Sequence, residues 1–208
     1  MNEIFESNDP SQERKPQTPK KRKKTPRKIN ERYLRNSGLF YLQRFTASSG
    51  HFKTVMSRKI KKSCYFHKDQ DYDECITILD KIITEFLDQG LLDDAGYLRG
   101  MVTSLRRSGK SKKAIMAKLM QKSIPAHDIE KALETYDQDT YDDPREAEFL
   151  AAITFARKKH LGPYDERNKY EDEKALNMLA RNGYGYDTAR RVLNLSEDDL
   201  YELGYKLY

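Results

Sequence analysis

Part of the stretch 95–133 returns 60 residues later in the chain. Adding 60 to Ile115, Leu119, Lys122, Ser123, Ile124, Ile129 and Leu133 gives Ala175, Leu179, Asn182, Gly183, Tyr184, Ala189 and Leu193, small or apolar at all but one position. Subtracting 63 from the first three gives Phe52, Met56 and Lys59, after which the register is lost in a polar insertion over 62–70. A repeated helical unit buries its apolar face partly against its neighbours. The repeat therefore predicts an all-α chain, an elongated array of three tandem three-helix units over 30–94, 95–142 and 143–208, the last with a short extra helix.

Hydrophobic periodicity and capping signals place the helices. Leu39, Leu42 and Phe45 predict a first helix within 30–45, and Phe52, Val55 and Met56 a second over 49–61. Leu79, Ile83, Phe86 and Leu87 predict a long third helix over 72–89, with Gly90 as its stop. In the second unit Asp93 or Asp94 caps a helix carrying Tyr97, Met101 and Leu105; Ser111 caps the next, and Pro125 opens the third. In the third unit Asp143 and Pro144 start a helix with Phe149, Ile153 and Ala156 inward, and helices over 172–182 and 186–193 repeat the earlier pair. Ser196 and Asp199 match a capping box for a last helix that ends before Gly204.

The net charge of +6 is unevenly spread. Residues 1–29 hold nine Lys/Arg against four Asp/Glu, with the run Lys20, Lys21, Arg22, Lys23 and Lys24, and are expected to form a disordered tail able to hold nucleic acid by charge alone. Beyond the tail, residues 44–62 carry six basic and no acidic side chains, and residues 99–123 eight and none. Acidic blocks at 69–94 and 128–148 alternate with them, so the charge follows the repeat.

Catalytic signatures are missing from this pattern. Gly109, Lys110 and Ser111 look like the end of a phosphate-binding loop, but Ser104 stands where its first glycine is required, and the segment follows a helix rather than a strand. Cys64 and Cys75 have no second pair and read as free thiols, and the four histidines lack metal-ligand spacing. The longest apolar run, 149–156, is far shorter than the roughly 20 residues of a bilayer span. A non-enzymatic cytoplasmic protein without metal or cofactor is expected.

What remains is a basic hairpin that recurs between the first and second helices of each unit. The candidate contact residues are Arg44, Lys53, Arg58 and Lys59 in the first unit, Arg106, Arg107, Lys110, Lys112, Lys113 and Lys118 in the second, and Arg157, Lys158 and Lys159 in the third. Cations at a regular step can neutralise the phosphates of a strand or match acidic patches on a polymer of identical subunits. The residues alone also allow a helical nucleic-acid-binding protein with no protein polymer as partner, or an adaptor that binds protein only.

Four stretches together resemble the RecX family of bacterial regulators of the RecA recombinase: 90–95 (GLLDDA) leading into Tyr97, the turn 106–111, the helix pair 115–133, and 155–163 (FARKKHLGP), the last in the style of its alphaproteobacterial branch. The likeness covers roughly 30–193 and departs from the family pattern at Ser123, where glycine is usual, and in the insertion 62–70. The resemblance implies three tandem three-helix units in a curved array. It implies a monomer that binds the RecA filament on single-stranded DNA, lowers its ATPase, strand-exchange and coprotease activities, and so regulates DNA repair and the SOS response. Binding to single-stranded and double-stranded DNA is implied as well. The basic turns of the second and third units are the contact sites the resemblance favours.

Overall fold

The structure, a computed structural model, describes residues 25–165 and 169–206. Among these residues it is all helical: α1 (Glu31–Leu42), α2 (Ser49–Phe66), α3 (Tyr72–Asp88), α4 (Asp94–Arg107), α5 (Lys112–Met120), α6 (Ala126–Thr140), α7 (Ala147–Lys159), α8 (Asp172–Arg181), α9 (Tyr186–Leu193) and α10 (Glu197–Lys206). None is long and apolar enough to cross a membrane. Side-chain caps fix most of the starts. Asn30, Ser48, Asp71, Asp93 and Ser111 each accept a hydrogen bond from the backbone N–H three residues on. Glycines in the left-handed region terminate α3 and α4 at Gly90 (φ 69°) and Gly109 (φ 73°). Ser196 and Asp199 cap each other reciprocally, but α10 runs through Gly204 to Lys206 instead of stopping before it. Pro125 stands at the N-cap of α6 rather than inside its first turn, and Pro144 opens a single 3₁₀ turn ahead of α7.

Each unit has its own apolar cluster. Leu34, Phe52, Ile60, Leu79 and Phe86 centre the first, Val102, Ile115, Leu119, Ile129 and Leu133 the second, and Ile153, Leu161, Leu179 and Val192 the third. Three buried faces differ from the periodic reading. In α1 the helix ends at Leu42, so Phe45 leaves the register and is half exposed, while Leu34 and Gly38 face the core. Gly38 is needed there, because a Cβ would lie 2.8 Å from the Phe52 ring and 3.1 Å from that of Phe86. In α3 Cys75 and Ile82 turn inward and Leu87 outward. In α4 Leu98, Val102 and Leu105 are buried, with Tyr97 and Met101 only packed against the cluster's edge.

The polar insertion is a continuation of α2, and the base of the tail docks on it. Ser63, buried one turn from the end of α2, places its hydroxyl 2.8 Å from the Arg27 carbonyl. The Gln70 amide brackets Ile29, accepting from its N–H (2.9 Å) and donating to its carbonyl (2.8 Å). The His67 ring Nε2 is 2.8 Å from the Pro26 carbonyl, Lys28 pairs with Asp69, and Ile29 is buried in the first core. Residues 26–29 are therefore part of the first unit, which corrects the expected boundary of the tail at 29. Removing residues 1–24 is expected to leave the melting temperature unchanged. Removing 1–29 strips a buried isoleucine and several backbone hydrogen bonds, at a cost of about 3 kcal/mol. Thermal melts of the two truncations check this; equal melting would remove the docked segment from the account.

The units join through one repeated junction. Between the first and second, the Ser48 hydroxyl donates to the Lys122 carbonyl (3.1 Å), and the Ser49 N–H donates to the Asp94 carboxylate (2.6 Å). Between the second and third, the Ser111 hydroxyl donates to the Asn182 carbonyl (2.6 Å), and the Lys112 N–H to the Glu148 carboxylate (3.0 Å). Ser48 to Ser111 is 63 positions and Lys122 to Asn182 is 60, the offsets at which the sequence repeats. The cap serines of α2 and α5 thus serve twice, each holding its own helix start and the turn of the next unit.

The same junction accounts for Ser123. Ser123 is left-handed at φ 61°, and its counterpart Gly183 has φ 91°. Where the turn carries serine, the facing helix carries Gly50, whose Cβ would come 2.9 Å from Ser123 Cβ. Where the facing helix carries Lys113, the turn carries glycine, whose Cβ would lie 2.5 Å from Ser111 Oγ and 3.2 Å from Lys113 Cβ. The small residue has changed sides, so contact distance is kept, and the left-handed serine is held by its neighbours at a cost of order 1–2 kcal/mol.

Candidate functional site

The basic residues divide by burial and partner. Arg106 leaves the candidate surface: it is 3% exposed. Its guanidinium donates to Asp137 through Nε (3.1 Å) and Nη2 (2.7 Å), and through Nη1 to Glu148 (2.7 Å) and the Lys110 carbonyl (3.3 Å). Burial opposes the charge, and hydrogen bonds and attraction from the two carboxylates outweigh it, raising the pKa. Asp137 lies on α6 and Glu148 on α7, so Arg106 ties the second unit to the third. Gln43, 63 positions earlier, is uncharged, and the first junction has no such pair at that position.

Lys110 is also drawn into this junction. Its ammonium donates to Asn182 Oδ1 (2.9 Å) and stands 6.0 Å from the Phe155 ring centre, while Asn182 donates back to the Gly109 carbonyl (3.2 Å). Lys112 and Lys113 are exposed at the mouth of a cleft of about 640 Å³ that Glu134, Asp137 and Glu148 also line, so its charge is mixed.

The remaining candidates face outward. Arg44 lies over the exposed rings of Phe40 (5.8 Å) and Phe45 (5.4 Å), and Arg107 is its equivalent 63 positions on. Lys158 Nζ donates to the Arg107 carbonyl (3.3 Å), which brings Arg107 and the Arg157, Lys158 and Lys159 end of α7 to one edge. Lys118 projects from α5. In the first unit Lys53 pairs with Asp80 (2.6 Å), Lys59 bonds to Ser37 Oγ (2.9 Å) against α1, and Arg58 lines an outer groove on α2. Lys20, Lys21, Arg22, Lys23 and Lys24 lie outside the described residues.

Periodic reading of charge missed a groove along the outer side of α2. Lys61, Thr54 and Ser57 share the α2 groove with Lys53 and Arg58. The imidazole of His51, one turn away, is held below its ordinary range, first by partial burial and then by the positive charges of Lys122 and Arg58. No carboxylate lines that groove among the described residues. The signal was present in the sequence as the acid-free block 44–62 on the predicted helix over 49–61, but only the packing of Tyr72 and Ser123 against α2 completes the groove. Cys75, in contrast, is no reactive centre: burial and the adjacent Cys64 push its thiol up to about 11, so it stays protonated at neutral pH.

Comparison with known proteins agrees with this architecture. Residues 93–133 match the family profile described as RecX, second three-helix domain. The regulatory protein RecX of Myxococcus xanthus is 31% identical over 177 residues, spanning 82% of this chain and 89% of the relative. That of Agrobacterium fabrum is 28% identical over 169 residues, spanning 80% and 85%. The crystal structure of RecX from Lactobacillus salivarius superposes with a TM-score of 0.53 at 20% identity, over 84% of this chain and 97% of the other. A second crystal structure, of a regulatory protein RecX, gives 0.54 at 20% identity over 79% and 72%. The two structures speak to the fold, and the sequence relatives to the lineage: the chain belongs to the RecX family of regulatory proteins.

Proposed function

We propose that the protein binds the RecA filament on single-stranded DNA as a monomer in the cytoplasm and lowers its ATPase, strand-exchange and coprotease activities, thereby regulating DNA repair and the SOS response. Membership of the RecX family supports the partner. The observation that supports the mode of contact is the repeated junction: equivalent hydrogen bonds join both pairs of units, and each unit carries an exposed basic residue or cluster, Arg44, Arg107 and the Arg157 to Lys159 end of α7. A row of cations at a fixed step suits a polymer of identical subunits better than a single globular partner. In this reading Arg106 and Lys110 hold the second unit to the third and take no part in contact.

The test is co-sedimentation with RecA filaments assembled on single-stranded DNA. The chain is expected to pellet with the filament, and Arg107→Glu/Lys158→Glu/Lys159→Glu to stay largely in the supernatant. Equal pelleting of the two would remove this edge from the contact. Pelleting with bare DNA but not with the filament would favour a nucleic-acid-binding protein without RecA as partner.

A further inference from the structure

The first unit has a face that the other two lack. Its middle helix, α2, has 18 residues, against nine in α5 and ten in α8. The added turns carry Lys61, Lys62, Tyr65 and Phe66, and Lys68 follows directly. The groove along α2 offers the cations of Lys53, Arg58 and Lys61, the hydroxyls of Thr54 and Ser57, and the Tyr72 ring. Tyr65 is 78% exposed, Phe66 52% and Tyr72 41%. The Lys68 ammonium stands 4.6 Å from the Tyr65 ring centre, so cation and aromatic surface are presented together. Beside this face Asp80 is engaged by Lys53 and Asp69 by Lys28. Pairs this exposed are worth little and can be exchanged for a phosphate.

The basic tail joins the fold at this face. Pro26 is held against His67, just past the end of α2.

We propose that the outer face of α2 is a binding track for single-stranded nucleic acid, with phosphates along Lys53, Arg58 and Lys61 and bases stacked on Tyr65 and Tyr72. Exposed rings beside an acid-free cationic groove fit an unpaired strand, whose bases are free to stack; a duplex keeps its bases inside, and an acidic protein has no use for the rings. This site rests on the groove and stands apart from the filament-binding reading.

The test uses the full chain, without RecA, and the fluorescence anisotropy of a labelled oligothymidylate. Tyr65→Ala is expected to weaken binding about 10-fold and Tyr65→Phe to leave it near wild type, as stacking requires. Arg58→Ala/Lys61→Ala should flatten the log-log salt slope by about 1.4, two single-strand phosphate contacts. Both positions are exposed, and unchanged helical circular dichroism shows that the variants fold. Unchanged affinity in Tyr65→Ala overturns the stacking site. Equal loss on polyglutamate reduces the face to a general anion or acidic-protein surface and overturns it as well. Thymidylate binding through Tyr65 with no effect of the chain on RecA would instead keep this site and remove the filament reading.

Discussion

Leu119→Asp is expected to destroy the folded middle unit. Leu119 is fully buried among Ile115, Ile124, Ile129 and Leu133, so the substitution loses about 2–3 kcal/mol of apolar burial. It also places an unpaired carboxylate in a dry core, at several kcal/mol more. The total, about 5 kcal/mol or above, rivals the whole stability of an ordinary domain. In a tandem array the loss stays with the damaged unit and its junctions, and the first unit, with its own cluster around Phe52, Leu79 and Phe86, retains helix. The folded core favours the protonated carboxyl, so its pKa is raised there, and the deficit shrinks as pH falls. Circular dichroism melts at two pH values read both effects. A soluble variant with full helicity and the wild-type melting temperature would place Leu119 outside the core.

Arg106→Met ranks second. The guanidinium is buried and spans two units, and its removal leaves Asp137 and Glu148 facing one another without a cation. Glu148 is 32% exposed and can recover some hydration, so the lower end of the range for a broken buried pair applies, about 3 kcal/mol. For a chain of this length that is a fall of roughly 6–12 °C in melting temperature. Adding Asp137→Asn and Glu148→Gln is expected to recover much of it, because the neutral amides no longer repel. Melting is one readout and nucleic-acid affinity the other. Arg106→Met should lower the first and leave the second of the folded protein intact. The reverse result, unchanged melting with weakened binding, would return Arg106 to the contact surface.

The distinction between Arg106 and Arg107 shows where the sequence could be read and where it could not. The 60-residue echo located the second and third cores because matched apolar positions fill equivalent niches, as the fully buried Leu119 and Leu179 do. The echo fails at Leu193, matched to the buried Leu133 but only partly buried, because Val192 beside it takes the core position. Caps were legible at Asp93 and Ser111 because an N-cap is a local hydrogen bond. Adjacent arginines carry no such local difference. Only the packing of α6 and α7 decides that Arg106 meets two carboxylates 31 and 42 positions away while Arg107 stays outside. The docking of residues 26–29 escaped for the same reason. Its bonds run to Ser63, His67 and Gln70, 36 to 41 residues on, and a proline-bearing basic stretch gives no periodic sign of them. Ser123, a departure from the family pattern, became intelligible only with Gly50 opposite it.

Restraint of a RecA filament is the function proposed for this chain. Its most direct test is the single-stranded-DNA-dependent ATPase rate of RecA from the same organism, followed as the full chain is added from well below RecA to equimolar. At substoichiometric levels the rate is expected to fall by more than the fraction of RecA subunits the added chain could occupy, which one-to-one blocking of subunits would not produce. An unchanged rate at equimolar protein, with binding to single-stranded DNA intact, would contradict it.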